Sequence, residues 1–226
     1  MLYNRENVRD NIRNKEGKRV FYLGKGDNLT SSARDFLTQE RIEILPASAA
    51  KPERWKLLGG GYMEEKPEHM THLNGDTLVP KTHPRIALRG AVDTLEAELL
   101  LCCTQATGEI RTQLEDALSY VRMLLRCEVL DEAVKDEPLG GMDEKTLRQR
   151  SHRPQDFYGQ PHFMPQPADD ALLLRVNRAR CAAREAELKA VTAFPAGRED
   201  LLRAFNRLSS FLYLIMIQLK KPSPGD

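Results

Sequence analysis

Between Asp169 and Lys221 the chain carries two long runs of helical periodicity, separated only by Phe194-Pro195-Ala196-Gly197. The first, DDALLLRVNRARCAAREAELKAV, opens on acidic residues and keeps Leu173, Val176, Ala179, Ala183 and Ala186 on one stripe. The second, REDLLRAFNRLSSFLYLIMIQLKK, ends on basic residues. Acidic starts and basic ends suit the helix dipole, and a Pro-Gly break stops one helix before the next begins. Helices joined so shortly lie side by side and bury their apolar stripes against further helices. Upstream, Leu95, Leu99, Cys102 and Ala106 form one such stripe; Ile110, Leu114, Ala117, Val121 and Leu124 form another after Gly108. DEKTLRQRS at 143–151 adds a short helix. The pattern predicts a mainly α fold, a bundle of about five helices, over residues 67–226.

Residues 1–66 read differently. VFYL is a strand, Gly24-Lys25-Gly26-Asp27 a turn, SSARDFLTQE a helix capped by Thr30 or Ser31, and IEIL a second strand. Together they make a small N-terminal α/β extension. ASAAKPERWKLLGGGYMEEKPEH, rich in Gly, Pro and charge, follows as a linker or irregular hairpin, which sets a boundary near residue 66. Further on, HRPQDFYGQPHFMPQPAD is a proline-rich loop long enough to act as a lid.

Charge excludes some partners. With 34 basic and 33 acidic residues the net charge is +1, so no global field recruits nucleic acid or an anionic membrane, and an anionic ligand must be held locally. FLYLIMI, from Phe211 to Ile217, falls short of the roughly 20 apolar residues a membrane-spanning helix needs. MLYNRENVRDNIRNKEGKR has no apolar stretch of the secretory kind, which points to the cytoplasm. Cys102, Cys103, Cys127 and Cys181 fall inside helical patterns without metal-ligand spacing and read as buried thiols. His69 and His72 would share a metal only on a helix, which Pro67 and Gly75 oppose, so no metal site is expected.

Two segments carry candidate chemistry. In VPKTHPRIALRGAVDTLEA, Val79 to Ala97, Pro80 sets Lys81 on a rigid turn where its cation could face a triphosphate. Ile86, Ala87 and Leu88 read as a short apolar strand, Gly90 as the passage into a helix, and Asp93 as an acid in that helix's first turn. A plain loop leading into a helix accounts for the same residues. On the penultimate helix Arg180, Arg184 and Glu187 share a face, and paired arginines suit phosphate oxygens because each guanidinium donates in a fixed fork. A solvated face with ordinary ion pairs gives the same spacing. Asn206, Ser209, Ser210 and Tyr213 form a polar stripe on the last helix, to be satisfied by the neighbouring helix or by a ligand.

Taken together, LTSSARDFLTQERIEI, KPEHMTHLNGDTLVPKTHPRIALRGAVDTLEAELLL, LRVNRARCAAREAEL and FNRLSSFLYLIMI resemble the ATP:cob(I)alamin adenosyltransferases of the ethanolamine-utilization type. VPKTHPRIALRGAVDTLEA is also similar to the V-P-K-D-D-P-R-V-E-A-Y-G-T-V-D-E-L-N-A segment of the propanediol type. Arg180, Arg184 and Glu187 match that type's R-x-x-x-R-R-A-E-R signature, and Asn206 matches the asparagine of its N-R-L-S-D. The chain departs from those motifs at Glu185, Leu188 and Ser210, where the ethanolamine type's R-E-x-E and N-R-L-S-S fit instead. Many members of the ethanolamine type carry a His-x11-Cys-Cys-x2-Cys cluster before the K-P-x-x-x-T-H-L segment. Residues 46–66 hold no Cys or His, so the resemblance implies a metal-free variant.

The resemblance implies transfer of the 5′-deoxyadenosyl group of ATP to reduced cobalamin, with inorganic triphosphate leaving. It implies Arg184, Arg180 and Asp93 as the catalytic set, with Asp93 pairing Arg184 across a subunit boundary. It implies Lys81, Arg180, Arg184, Glu187 and Asn206 as the nucleotide-binding set, together with Mg²⁺. The loop bearing Phe157, Tyr158, Phe163 and Met164 would crowd the lower face of the corrin. A homo-oligomer, a trimer by resemblance, is expected, with a bacterial microcompartment or a cobalamin-dependent lyase as further partners. The alternative is a non-catalytic cobalamin-carrying scaffold or chaperone built on the same bundle.

Overall fold

A computed structural model of the chain describes residues 1–15, 17–47 and 54–220. Residues 48–53 of the expected linker and Lys221 at the expected end of the last helix lie outside the described residues. Two compact units divide the chain, Met1–Lys66 and Pro67–Asp226.

In the first unit, β1 (Leu2–Tyr3) pairs in parallel with β4 (Asn28–Leu29). A second sheet has the order β2 (Ile12–Lys15), β3 (Lys18–Leu23), β5 (Glu43–Pro46), antiparallel on one side of β3 and parallel on the other. The parallel pairing needs a crossover, which α1 (Ser31–Gln39) supplies. Thr30 caps that helix, its hydroxyl accepting from the Ala33 N–H at 3.2 Å. Val8, Phe21, Ala33, Leu37 and Ile42 form the unit's own small core. The Gly-rich stretch is a hairpin, β6 (Trp55–Leu57) against β7 (Tyr62–Met63), and Gly60 and Gly61 turn it at positive φ.

The second unit opens with a hairpin that the sequence reading passed over, β8 (Met70–Asn74) against β9 (Thr77–Pro80). Asn74-Gly75 between alternating residues was its signal. Among the described residues six helices follow: α2 (Pro84–Gln105), α3 (Gly108–Leu130), α4 (Glu144–His152), α5 (Pro154–Tyr158), α6 (Ala171–Ala193) and α7 (Glu199–Leu219). α2 packs on α6 and α3, and α7 packs on α6 and α3, so these four close a ring. α4 and α5 lie along α7. Alanines at 179, 182, 183, 186 and 190 line the buried side of α6 and let its backbone approach its neighbours closely. Phe205, Leu208, Phe211, Leu212 and Ile215 of α7 fill the centre.

Three expectations need correction. Ile86, Ala87 and Leu88 are helical, because Pro84 at the first helical position and the His83 cap start α2 before them. Gly90 therefore lies inside α2, and Asp93 stands well past its first turn. The proline-rich loop contains α5, which Pro154 starts and Gly159 ends at φ 65°. Cys102, Cys103 and Cys127 are buried as expected, but Cys181 is exposed on α6. FLYLIMI is core apart from the half-buried Tyr213, and no described helix is long and apolar enough to cross a membrane.

Candidate functional site

Lys81 follows directly on β9, and its backbone N–H continues the hairpin ladder to the His69 carbonyl at 2.8 Å. That bond and Pro80 fix where the side chain leaves the backbone. The ammonium is exposed and, among the described residues, meets only the Glu68 carboxylate at 3.4 Å, so an anion could displace that partner at little cost. Two residues on, His83 caps α2, its Nδ1 accepting from the Arg85 N–H at 3.2 Å. Arg85 and Arg89, one turn apart on α2, both bind the buried Glu128 of α3: Arg85 Nε to Oε1 at 2.5 Å and Arg89 Nε to Oε2 at 2.6 Å. Arg85 also donates to the Glu128 carbonyl. One carboxylate thus ties the first turns of α2 to the end of α3. Burial, followed by the charges of Arg85 and Arg89, holds the His83 pKa below its ordinary value.

On α6 the predicted face is real but unevenly engaged. Asn177 Oδ1 accepts from Arg180 Nε at 3.2 Å and Nη2 at 3.0 Å, and the guanidinium lies 6.0 Å above the Tyr213 ring of α7. Nη1 makes no hydrogen bond among the described residues. Arg184, one turn on, is exposed and has no hydrogen bond or ion pair among the described residues. Asp93 of α2 is likewise exposed and unpaired among them, so the expected Asp93–Arg184 pair does not form within one chain. Glu187 and Asn206 do meet: the amide donates to Glu187 Oε1 at 3.2 Å, joining α6 to α7.

The polar stripe of α7 resolves into separate roles. Ser209 and Ser210 both donate to the Asn206 carbonyl of their own helix. Tyr213 reaches the segment before α6, where its hydroxyl accepts from the Phe163 N–H at 3.1 Å and lies 3.2 Å from His162 Nδ1. Asn206 and Ser210 also line a cavity of about 250 Å³ between α4 and α7. Of the four aromatic and sulfur side chains expected over a corrin, Phe157 and Met164 are exposed while Tyr158 and Phe163 are half-buried. Among the described residues no group of three or more His, Cys, Asp or Glu is placed to hold a metal.

Sequence reasoning missed Asn177, three residues before Arg180 and hence on its face, and the Arg85–Glu128–Arg89 clamp. The second left no local signal, because its partners lie 39 to 43 residues apart.

Comparison with known proteins places the chain in a family. The chain is 27% identical over 230 residues to the corrinoid adenosyltransferase EutT of Salmonella typhimurium, covering 89% of this chain and 86% of that one. It is 26% identical to EutT of Escherichia coli at the same coverage, and 28% identical to PduO of Salmonella typhimurium over 61% of this chain and 43% of that one. A variant of the PduO-type ATP:corrinoid adenosyltransferase from Lactobacillus reuteri, solved with cobalamin and ATP, superposes with a TM-score of 0.54 at 19% identity, covering 67% of this chain and 88% of the other. That likeness speaks for the fold. The cobalamin adenosyltransferase family model matches residues 61–219, from the β6–β7 hairpin to the last residue of α7. With that match spanning every helix of the bundle, the chain belongs to the cobalamin adenosyltransferase family.

Proposed function

We propose that this chain transfers the 5′-deoxyadenosyl group of ATP to cob(I)alamin and supplies adenosylcobalamin to ethanolamine catabolism. The observation that carries the reading is the family match over residues 61–219, which contains all six candidate residues. In the reaction the cobalt lone pair attacks C5′, a Co–C bond forms, the C5′–O bond breaks, and the triphosphate leaves with the electron pair. Cob(I)alamin is already a strong nucleophile, so the protein's work is to align it, neutralise the leaving group and exclude water. Lys81, Arg180 and Arg184 hold the phosphates, and Asp93 orients Arg184 from a neighbouring subunit. Asn206 steadies one oxygen of Glu187. The other takes no hydrogen bond among the described residues and is the kind of hard donor that a Mg²⁺ escorting the triphosphate would accept.

The site is then completed between copies of the chain, and a trimer is the assembly we favour. Phe157, Tyr158, Phe163 and Met164 face the corrin and displace its lower axial ligand, since a four-coordinate Co(II) accepts an electron more readily. Mg²⁺ is the one metal the reaction requires. Residues 1–66 act as an α/β extension to the catalytic domain at 67–226 and dock it in the cytoplasm, at a microcompartment or a cobalamin-dependent lyase.

The test is to supply ATP and chemically reduced cobalamin and follow the light-sensitive adenosylcobalamin spectrum, with and without a chelator selective for transition metals. Turnover that ignores the chelator is expected. Cobalamin binding without turnover would favour a carrier instead. Arg184→Ala should lower kcat/KM roughly 10²-fold, the size of losing one donor to a developing anion; near-normal turnover would sink the assignment.

A further inference from the structure

The segment 160–169, between α5 and α6, is tied to the helices around it, and one of the ties is built from a single side chain of α7. Tyr213 accepts from the Phe163 N–H at 3.1 Å and can return a bond to the Phe163 carbonyl at 3.4 Å. Its ring stacks on His162, centroids 5.7 Å apart and planes 10° apart, and on Phe163 at 6.1 Å. His162 in turn reaches the His152 carbonyl at the end of α4 through Nε2 at 3.3 Å. A further tie is independent of Tyr213: Lys220 pairs with Asp169 at 2.5 Å and lies 5.2 Å from the Phe163 ring.

The same Tyr213 ring lies under the Arg180 guanidinium at 6.0 Å, while Asn177 takes two of that guanidinium's hydrogens. A cation resting on an aromatic face and held at one edge loses most of its rotamer freedom before any ligand arrives. Ring and hydroxyl therefore do different things. The ring orders Arg180, and the hydroxyl orders the backbone at Phe163.

We propose that Tyr213 is the positioning residue that sets the corrin-facing segment at Phe163 and Met164 in register with the phosphate-binding Arg180, its hydroxyl serving the first and its ring the second. The inference rests on the adenosyltransferase reading, and on Phe163 and Met164 being the side chains that face the corrin. It goes further by dividing one side chain between the two substrates. Removing the hydroxyl loosens the segment and leaves Arg180 on its ring. Removing the ring frees both.

The experiment compares wild type, Tyr213→Phe and Tyr213→Leu in the full chain. It measures the fraction of bound cob(II)alamin in the four-coordinate form by its electron paramagnetic resonance signal, the KM for ATP, and kcat. For Tyr213→Phe the four-coordinate fraction and kcat should fall about fivefold together while the ATP KM stays within twofold of wild type. For Tyr213→Leu the ATP KM should also rise, about tenfold. Lys220→Met, which releases the segment from its other end without touching Tyr213, should repeat the Tyr213→Phe pattern and gives a second route should either tyrosine variant fold poorly. An unchanged four-coordinate fraction in both Tyr213→Phe and Lys220→Met overturns the inference while wild-type turnover keeps the adenosyltransferase reading intact. A parallel rise of the ATP KM in Tyr213→Phe overturns the division of labour. A wild type that neither turns over nor gives the four-coordinate signal removes the adenosyltransferase reading itself, and the inference with it.

Discussion

His83 caps α2 through a nitrogen that must be unprotonated to accept, and its surroundings keep it so. Burial, then Arg85 and Arg89, lower its pKa, with Glu128 opposing. The unfolded chain takes up this proton near pH 6.5 and the folded chain only at lower pH, so between those points the unfolded state binds more protons. Its contribution is therefore full above pH 6.5 and is lost as pH falls through the lower, folded value. A urea midpoint that holds from pH 8 to 7 should decline below 6.5, and His83→Asn, a cap that does not titrate, should flatten that decline. A slope unchanged by the substitution would place the acid sensitivity elsewhere. The cysteines behave as a second residue-scale case. Burial pushes Cys102 up to about 12, so it should ignore a thiol reagent at pH 8, while the exposed Cys181 reacts. The reading of four buried thiols failed at Cys181 because the inward stripe of α6 is alanine, and the residue after Arg180 turns out of it. Arg184 lies three residues further along that face, so ATP should slow the labelling. One fast thiol, absent in Cys181→Ser and protected by ATP, is the expected titration.

At the scale of elements, the long helices were legible because apolar residues recurring every three or four positions leave few other ways to bury a stripe. Short pieces were legible where turn or cap residues flanked them, as in β3, α1, β5 and α4, but not everywhere. Ile86, Ala87 and Leu88 read as a strand because three apolar residues fit either period, and only the cap chemistry of His83 and Pro84 decides for helix. The β8–β9 hairpin, which positions Lys81, was passed over although Asn74-Gly75 marked it. The loop between α3 and α4 shows how strongly such irregular elements are fixed. Gly140 has a φ of 58°, in the bridge that joins Leu139 to Met142, and any Cβ there would run into the Phe211 ring of α7. Gly140→Ala should therefore destabilise the protein by about 2–4 kcal/mol, a left-handed backbone penalty added to overpacking. The check is the urea midpoint at constant slope. A loss below about 0.5 kcal/mol, the range of ordinary surface substitutions, would mean that the loop yields easily.

Across the whole molecule, the ring of α2, α6, α7 and α3 explains why a helical chain read correctly as a bundle still left its site half-explained. Arg180, Glu187 and Asn206 find partners on neighbouring elements of the same chain. Asp93 on α2 and Arg184 on α6 are exposed and find none among the described residues. Spacing along a sequence reports which residues share a helix face, but it carries no information about what a second copy brings to that face. If the site is shared, Lys81 and Asp93 come from one subunit and Arg184 from the next, which is a head-to-tail contact that closes into a ring. Asp93→Ala and Arg184→Ala should then each lose most activity as pure assemblies. In mixed assemblies, a junction between an Arg184→Ala subunit supplying its α2 and an Asp93→Ala subunit supplying its α6 carries no substitution. With random mixing such junctions are one in four, so co-expressed variants should recover roughly a quarter of the wild-type rate per site, without change in the ATP KM of the recovered fraction. Mixtures as inactive as their components would put both residues in the same subunit's site, and an Asp93→Ala assembly that keeps its activity would return Asp93 to the solvated face of α2.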